Sequence, residues 1–146
     1  MTSPRSSMFY ALLIMLAAIA VKTTFAGTVE CDNLATLSLT DTVITSTTYI
    51  DANGELPGYC EVQATVGPQT DVIVRLPDNW RDRYFHLGGA GFDGQFPPDL
   101  NGSLAFARKN PITDGYVVVA SNGGHRASDY PGGSFSSDAG LALSYA

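Results

Sequence analysis

The part of this sequence best suited to chemistry is a glycine-rich stretch in its second half. Gly88, Gly89, Gly91 and Gly94 follow the short apolar run at residues 84–87. This order predicts a strand that ends in a loop, where the backbone takes conformations that a Cβ atom would oppose. Such a loop presents backbone N–H groups. These can bind the phosphates of a dinucleotide or the oxyanion of an acyl-transfer intermediate, or the loop can be no more than a tight turn.

The nucleotide interpretation can be tested on the residues that follow the glycines. The spacing Gly89-x-Gly91-x-x-Gly94 matches the dinucleotide-binding fingerprint, which requires a helix that begins at these glycines. Pro97 and Pro98 come directly afterwards. Because proline lacks a backbone donor and disfavours the helical conformation of the residue before it, no such helix is expected. The oxyanion site and the tight turn remain as alternatives.

The two histidines, His125 and His86, are also candidates for a chemical role. Ser121, His125 and Asp129 have the composition of a catalytic triad, but a working triad needs its serine on a strained elbow. The sequence contains neither a Gly-x-Ser-x-Gly nor a Cys-Ser elbow. We therefore expect His125 to support the structure or a neighbouring reactive group, with an exposed loop histidine as the alternative. His86 is expected to be a satisfied residue of a sheet.

Strands and a helix are predicted on both sides of the glycine loop. Alternating residues at 61–66 and 71–76 predict an antiparallel hairpin. The continuous apolar run at 115–120 is typical of a strand covered on both faces, as in a parallel sheet. A short helix at 104–109 would connect this strand to the one at 84–87. The predicted fold class is therefore α/β, with an antiparallel start followed by parallel strands.

The remaining segments give weaker signals. Residues 31–48 lack a sustained period and predict short strands and extended loop. Trp80, in a charged turn, is expected to be buried over the sheet edge, with a ligand contact as the alternative. Residues 136–146 predict the first turns of a further helix. A doubly wound sheet that stopped there would have an exposed edge and an incomplete core, so we expect an incomplete domain.

The N-terminal segment has the pattern of a secretory signal. Arg5 precedes an apolar core at residues 8–21, and Thr24-Phe25-Ala26 is a small-x-small cleavage site before Gly27. The apolar run is short for a membrane span, so residues 1–26 are predicted to be removed and the product secreted without a membrane anchor. A retained anchor is the alternative. Asn101 begins an N-glycosylation sequon.

Charge and cysteine content narrow the possible partners. The formal net charge is −6, and the predicted cleavage would remove two of the eight basic residues and none of the fourteen acidic ones. A nucleic-acid partner is therefore not expected. Cys31 and Cys60 would remain, either paired with each other or with a cysteine outside this chain. No cysteine and histidine spacing indicates a metal site.

Four segments occur in an order and spacing that resemble the tannase and feruloyl esterase family. They are LPGYCEV at 56–62, RLPDNW at 75–80, RYFHLGGAGFDG at 83–94 and GYVVVASNGGH at 115–125. The resemblance implies a secreted α/β-hydrolase that cleaves esters of phenolic acids such as ferulate or gallate. It also implies that the backbone amides of Gly88, Gly89 and Ala90 form half of an oxyanion hole, with Gly89 as the preferred donor.

Other parts of that family's active site do not occur in this sequence. The family has a serine in a Cys-Ser-x-Gly-Gly elbow, a later acid and histidine, and a large lid that often holds calcium. We therefore expect residues 27–146 to be the N-terminal portion of a catalytic domain, inactive alone and without a cofactor of its own. His125 does not correspond to the triad histidine.

Two residues depart from the family's pattern. Ala90 stands where glycine is common, and Asn122 where aspartate is frequent. The alternative is a small secreted module that binds an aromatic ligand at the glycine loop without catalysis.

Overall fold

The structure is a computed structural model that describes residues 25–88, 91–97 and 110–145. Two helices, a 3₁₀ turn and five strands make up the described elements. In chain order they are helix α1 (Phe25–Leu34), strands β1 (Thr42–Ile50), β2 (Tyr59–Val66), β3 (Thr70–Pro77), β4 (Arg83–Leu87) and β5 (Tyr116–Ser121), the 3₁₀ turn (Ser134–Ser137) and helix α2 (Ala139–Tyr145).

The five described strands form one mixed sheet in the order β1-β2-β3-β5-β4. Neighbouring strands are antiparallel from β1 to β5, whereas β4 and β5 are parallel. The predicted hairpin is confirmed as β2 and β3, which pair from Tyr59 with Pro77 to Val66 with Thr70. The antiparallel start and the parallel pair agree with part of an α/β domain. The predicted helix at 104–109 lies outside the described residues.

The core lies on one face of this sheet. Tyr59, Ile73, Leu87, Ile112, Val118 and Ala120 form a single buried cluster. On β5 the buried residues Val118 and Ala120 alternate with half-buried ones. Strand β5 was predicted to be covered on both faces. Among the described residues only one face is covered, because no described helix packs against the opposite face.

Helix α1 is the main departure from the predicted elements. Its residues were expected to be extended from Cys31 onward, and the helix instead runs to Leu34. A disulfide joins Cys31, which is fully buried, to Cys60 at the start of β2. Of the two pairings left open by the sequence, the structure shows the one between these two cysteines. The helix is attached to the sheet through a covalent bond between residues 29 positions apart, which no local sequence pattern indicates.

Trp80 is placed differently from the prediction as well. Its side chain is 58% exposed, so the expectation of a buried tryptophan is wrong. The indole Nε1 donates a hydrogen bond to the Arg83 carbonyl across the turn, at 3.1 Å. Because the turn itself supplies this acceptor, the ring needs no partner in the core. It borders a shallow apolar groove of about 200 Å³ beside Leu76, Pro77 and Val117.

The remaining predictions concern the helix near the C-terminus and the signal segment at the N-terminus. Helix α2 confirms the predicted helix, and the Asp138 carboxylate accepts hydrogen bonds from the Gly140 and Leu141 amides at its start. The predicted signal segment lies outside the described residues up to residue 24, and its cleavage point before Gly27 falls within α1. No helix in the described part of the chain is long and apolar enough to cross a membrane.

Candidate functional site

The candidate site lies where the parallel strands β4 and β5 end together. Gly88 follows β4, and Asn122 follows β5. We call this the carboxyl edge. In sheets with parallel strands, ligands bind in the crevice outside the carboxyl ends, between loops that leave neighbouring strands. The glycine loop (residues 88–94) and the β5 loop (residues 122–127) both begin at this edge.

Gly88, the first residue of the glycine loop, has free space around its Cα atom. It is exposed, its φ is not positive, and a Cβ atom built on it would meet no described atom within 4 Å. Neither backbone conformation nor described packing therefore requires glycine there. Gly89 and Ala90, the other two candidate oxyanion donors, lie outside the described residues, and their role stays a prediction.

The far end of the glycine loop is packed against the β5 loop. Gly94 has a φ of +84°, and a Cβ atom on it would lie 2.8 Å from the Ala127 nitrogen. The Gly94 amide donates to the Asn122 carbonyl at 2.7 Å, and the Ala127 amide donates to the Gly94 carbonyl at 2.9 Å. Gly123 is equally restricted, because its Cβ would lie 2.6 Å from the Asp93 side chain. The two loops are thus in direct backbone contact.

The Asn122 side chain anchors the β5 loop to strand β3. It is 2% exposed, and its Oδ1 accepts hydrogen bonds from the Asp71 and Gly124 amides, each at 3.1 Å. Its Nδ2 donates to the Gln69 carbonyl at 2.9 Å and lies 3.4 Å from the Asp71 carboxylate. Both ends of the amide are therefore used. This explains why the chain carries an amide rather than a carboxylate at this position.

An ion pair adds a second connection between the same elements. Arg126 donates two hydrogen bonds to the Asp71 carboxylate, at 2.6 and 2.7 Å. These bonds, with a smaller contribution from the Thr65 hydroxyl, hold the pKa of Asp71 below its ordinary value against the opposing effect of burial. The same contact raises the pKa of Arg126. Asp71 is thus a charged structural group, already occupied by its partners.

His125 lies directly behind the two loops. It is fully buried, and its ring stacks on Phe135 with centroids 4.1 Å apart and planes 20° apart. Neither ring nitrogen has a hydrogen-bond partner among the described residues. The structure thus buries His125 rather than exposing it on a loop, and its role beside a reactive group stays a prediction.

The remaining candidates from the sequence are not brought together. No hydrogen bond joins Ser121, His125 and Asp129 in the described structure: Ser121 Oγ accepts from the Gly123 amide, and the Asp129 carboxylate accepts from the Ser128 hydroxyl. His86 is paired through the β4–β5 ladder but has an exposed side chain. Asn101 lies outside the described residues. Within those residues, no group of three or more metal-ligating side chains could hold a metal ion.

An aromatic cluster, which the sequence did not indicate, borders the glycine loop. It consists of Phe92, His125, Phe135 and Tyr145. The Phe92 side chain is 60% exposed, whereas Phe135 is buried. The Tyr145 hydroxyl donates a hydrogen bond to the Gly91 carbonyl at 3.0 Å. These residues come from four separate segments, so no local spacing could have indicated them.

Taken together, the carboxyl edge offers an exposed backbone at Gly88 and, four residues later in the same loop, the exposed ring of Phe92. Backbone N–H groups in such a loop can stabilise a developing oxyanion, and the ring can contact an apolar part of a ligand. The described residues contain no serine hydrogen-bonded to a histidine. The edge therefore resembles an electrostatic and binding surface.

Comparisons of sequence agree with the motifs in the chain. Residues 54–146 match the family model described as tannase and feruloyl esterase. An uncharacterised esterase of Xanthomonas campestris is 33% identical over 133 residues, covering 80% of this chain and 22% of that protein. An uncharacterised esterase of Agrobacterium fabrum is 32% identical over 101 residues, covering 64% of this chain and 18% of that protein. The chain thus spans about a fifth of the length of these relatives.

Comparisons of structure support the fold. An esterase from Aspergillus oryzae matches with a TM-score of 0.60 at 15% identity, covering 82% of this chain and 26% of that one. Feruloyl esterase B from the same organism matches with a TM-score of 0.58 at 19% identity, again over 82% of this chain and 26% of that one. At these identities the likeness concerns the fold, and it agrees with a partial α/β domain.

Proposed function

Because the chain belongs to the tannase and feruloyl esterase family, we propose that it is the N-terminal part of the catalytic domain of a secreted carboxylic ester hydrolase. The proposed substrates are esters of phenolic acids of the feruloyl or galloyl type. The observation that carries the proposal is the glycine loop, which leaves β4 at the carboxyl edge within the family's matched region. The relatives, all named as esterases, support the same reaction.

The proposed task of the glycine loop is to stabilise negative charge. When a nucleophile attacks an ester carbonyl carbon, the carbonyl oxygen becomes an oxyanion, which backbone N–H groups can bind. The amides of Gly88, Gly89 and Ala90 are the proposed donors, and Gly89 is the preferred one. One such donor contributes roughly 3 kcal/mol to the stability of the transition state. In α/β-hydrolases the second donor follows the nucleophile, which this chain would receive from residues outside it.

Phe92 supports the finer proposal of an aromatic substrate. Phe92 lies in the same loop as the proposed oxyanion donors; it is 60% exposed and rests edge-on against buried Phe135 with centroids 6.4 Å apart. Gly133 lies under the ring, so that a Cβ atom there would be 3.8 Å from it. A phenolic ring could pack against the exposed side of Phe92, because aromatic rings attract each other in offset or edge-to-face arrangements.

Secretion is supported by two features. Residues 1–26 have the pattern of a signal segment, and the chain contains a disulfide between Cys31 and Cys60. Structural disulfides form and persist in oxidising compartments outside the cytosol. The proposed protein therefore acts outside the cell, without a membrane anchor after cleavage.

Ester hydrolysis tests the proposal directly. The complete gene product is expected to hydrolyse methyl ferulate or a gallate ester faster than an acetate ester of the same alcohol, whereas the 146-residue chain alone is expected to hydrolyse none of them. In the complete product, Gly89→Val should lower turnover by about 100-fold through loss of one oxyanion donor, without a matching loss of thermal stability. Turnover by the isolated chain, or an unchanged Gly89→Val variant, would contradict the proposal.

A further inference from the structure

Helix α2 contacts the glycine loop through one hydrogen bond. The Tyr145 hydroxyl donates to the Gly91 carbonyl at 3.0 Å, over a sequence separation of 54 residues. Gly91 has a φ of +64°, and a Cβ atom on it would meet no described atom within 4 Å. Packing against the described residues therefore does not hold Gly91 in place. Because glycine has the widest conformational freedom of any residue, an outside partner is needed to hold it in one conformation.

Gly94, at the C-terminal end of the glycine loop, is held differently from Gly91. Gly94 is fixed by two backbone hydrogen bonds to the β5 loop and by close contact with Ala127. For the proposed donors at residues 88–90, the nearest described connection on the C-terminal side is the Tyr145 bond at Gly91. Because Gly91 directly follows these residues in the chain, a bond that holds its carbonyl restricts rotation of the backbone at Gly91.

The Tyr145 ring is itself held in place. Its centroid lies 4.8 Å from that of Phe135 and 6.3 Å from that of His125, which in turn stacks on Phe135. Gly124 lets the β5 loop approach α2 closely, since a Cβ atom there would lie 2.7 Å from the Ser144 backbone. Tyr145 is 40% exposed, so these contacts hold its ring from one side and direct the hydroxyl toward Gly91.

We propose that Tyr145 is a positioning residue of the glycine loop, which acts by holding the Gly91 carbonyl. The inference rests on the proposed function, because it assigns Tyr145 to the geometry of the oxyanion donors. His125 and Phe135 serve the same purpose indirectly, by fixing the Tyr145 ring. This gives a purpose to a buried histidine that takes part in no described hydrogen bond.

The test removes only the hydroxyl. In the complete gene product, Tyr145→Phe keeps the ring packing and is expected to lower kcat for methyl ferulate by about tenfold, with KM within about twofold of wild type. Amide hydrogen exchange within residues 88–94 should become faster in the variant. Tyr130→Phe is the matched control, because the Tyr130 hydroxyl makes no side-chain hydrogen bond in the described structure. It should change neither kcat nor exchange.

The outcomes separate the inference from the proposed function. A Tyr145→Phe variant with wild-type kcat and wild-type exchange in the glycine loop would overturn the positioning role. A protein that hydrolyses no ester would remove the proposed function, and the exchange experiment would then decide alone whether Tyr145 holds the loop. If Tyr145→Phe lowers the melting temperature markedly while the kcat of the folded fraction is unchanged, the tyrosine is structural and the inference fails.

Discussion

At the carboxyl edge, the hydrogen bonds that a side chain makes can explain which residue type occupies the position. Asn122 is the clearest case, because its amide accepts two hydrogen bonds through Oδ1 and donates one to the Gln69 carbonyl through Nδ2. A carboxylate would keep the acceptor and lose the donor. It would also face the Asp71 carboxylate, which lies 3.4 Å from the present Nδ2. The identity of residue 122 therefore depends on a residue on a different strand.

The Asn122→Asp substitution tests this dependence. We expect the free energy of unfolding of the complete gene product to fall by about 2 kcal/mol, because the partly buried Gln69 carbonyl loses its donor and two carboxylates come together. Urea unfolding at pH 7 measures the change. Asn53→Asp is the matched control, since Asn53 is an exposed turn residue whose only described hydrogen bonds are through its backbone. Equal stability of the Asn122→Asp variant and wild type would refute this account.

At the scale of elements, the β5 loop is held to strand β3 by the ion pair of Asp71 and Arg126. The side chains of both residues are partly exposed, at 25% and 42%, so solvent screens the pair and its contribution is about 1 kcal/mol or less. The hydrogen bonds from Arg126 lower the pKa of Asp71 in the folded protein. Because the unfolded chain binds a proton at Asp71 more readily, the pair stabilises the fold above the unfolded pKa, roughly 3.9.

The lowered pKa of Asp71 predicts how the stability contributed by the ion pair changes at acidic pH. Asp71→Asn should lower the melting temperature at pH 7. The difference from wild type should narrow as the pH falls below about 4, because the unfolded chain then gains a proton at Asp71 that the folded protein binds less readily. Comparing the two proteins at each pH cancels the titration of other carboxylates. A difference that stays constant over this range would show that charge on Asp71 does not stabilise the loop.

The elements also show which features local sequence could predict. Strands β2, β3 and β5 were predicted because alternation, a turn signal and a continuous apolar run are local properties. Helix α1 was missed because its ten residues have no apolar periodicity, and its position depends on the disulfide to Cys60. Trp80 was misplaced because the direction of its ring is set by the acceptor at Arg83. The glycine loop was found from its spacing, whereas the contact of Tyr145 with Gly91 required the fold.

At the scale of the whole molecule, the described residues leave much apolar surface uncovered. Strand β4 is an edge of the sheet, with Tyr84 62% exposed, and β5 is only half covered on one face. Phe92, Leu143 and Tyr145 are exposed at the carboxyl edge. Exposed strand edges and apolar patches of this kind normally receive a partner. Under the proposed function, this partner is the rest of the hydrolase domain; the chain covers about a fifth of the length of its relatives.

Thermal unfolding distinguishes the two functions that the sequence left open. If residues 27–146 are part of a larger hydrolase domain, the isolated segment should unfold over a broad temperature range, with weak near-ultraviolet circular dichroism and binding of a hydrophobic dye, because its core is incomplete. A self-contained module that binds an aromatic ligand should instead give one sharp transition by every probe. That sharp transition, together with saturable binding of ferulate, would exclude the incomplete domain, since an unfinished sheet has no means of unfolding cooperatively.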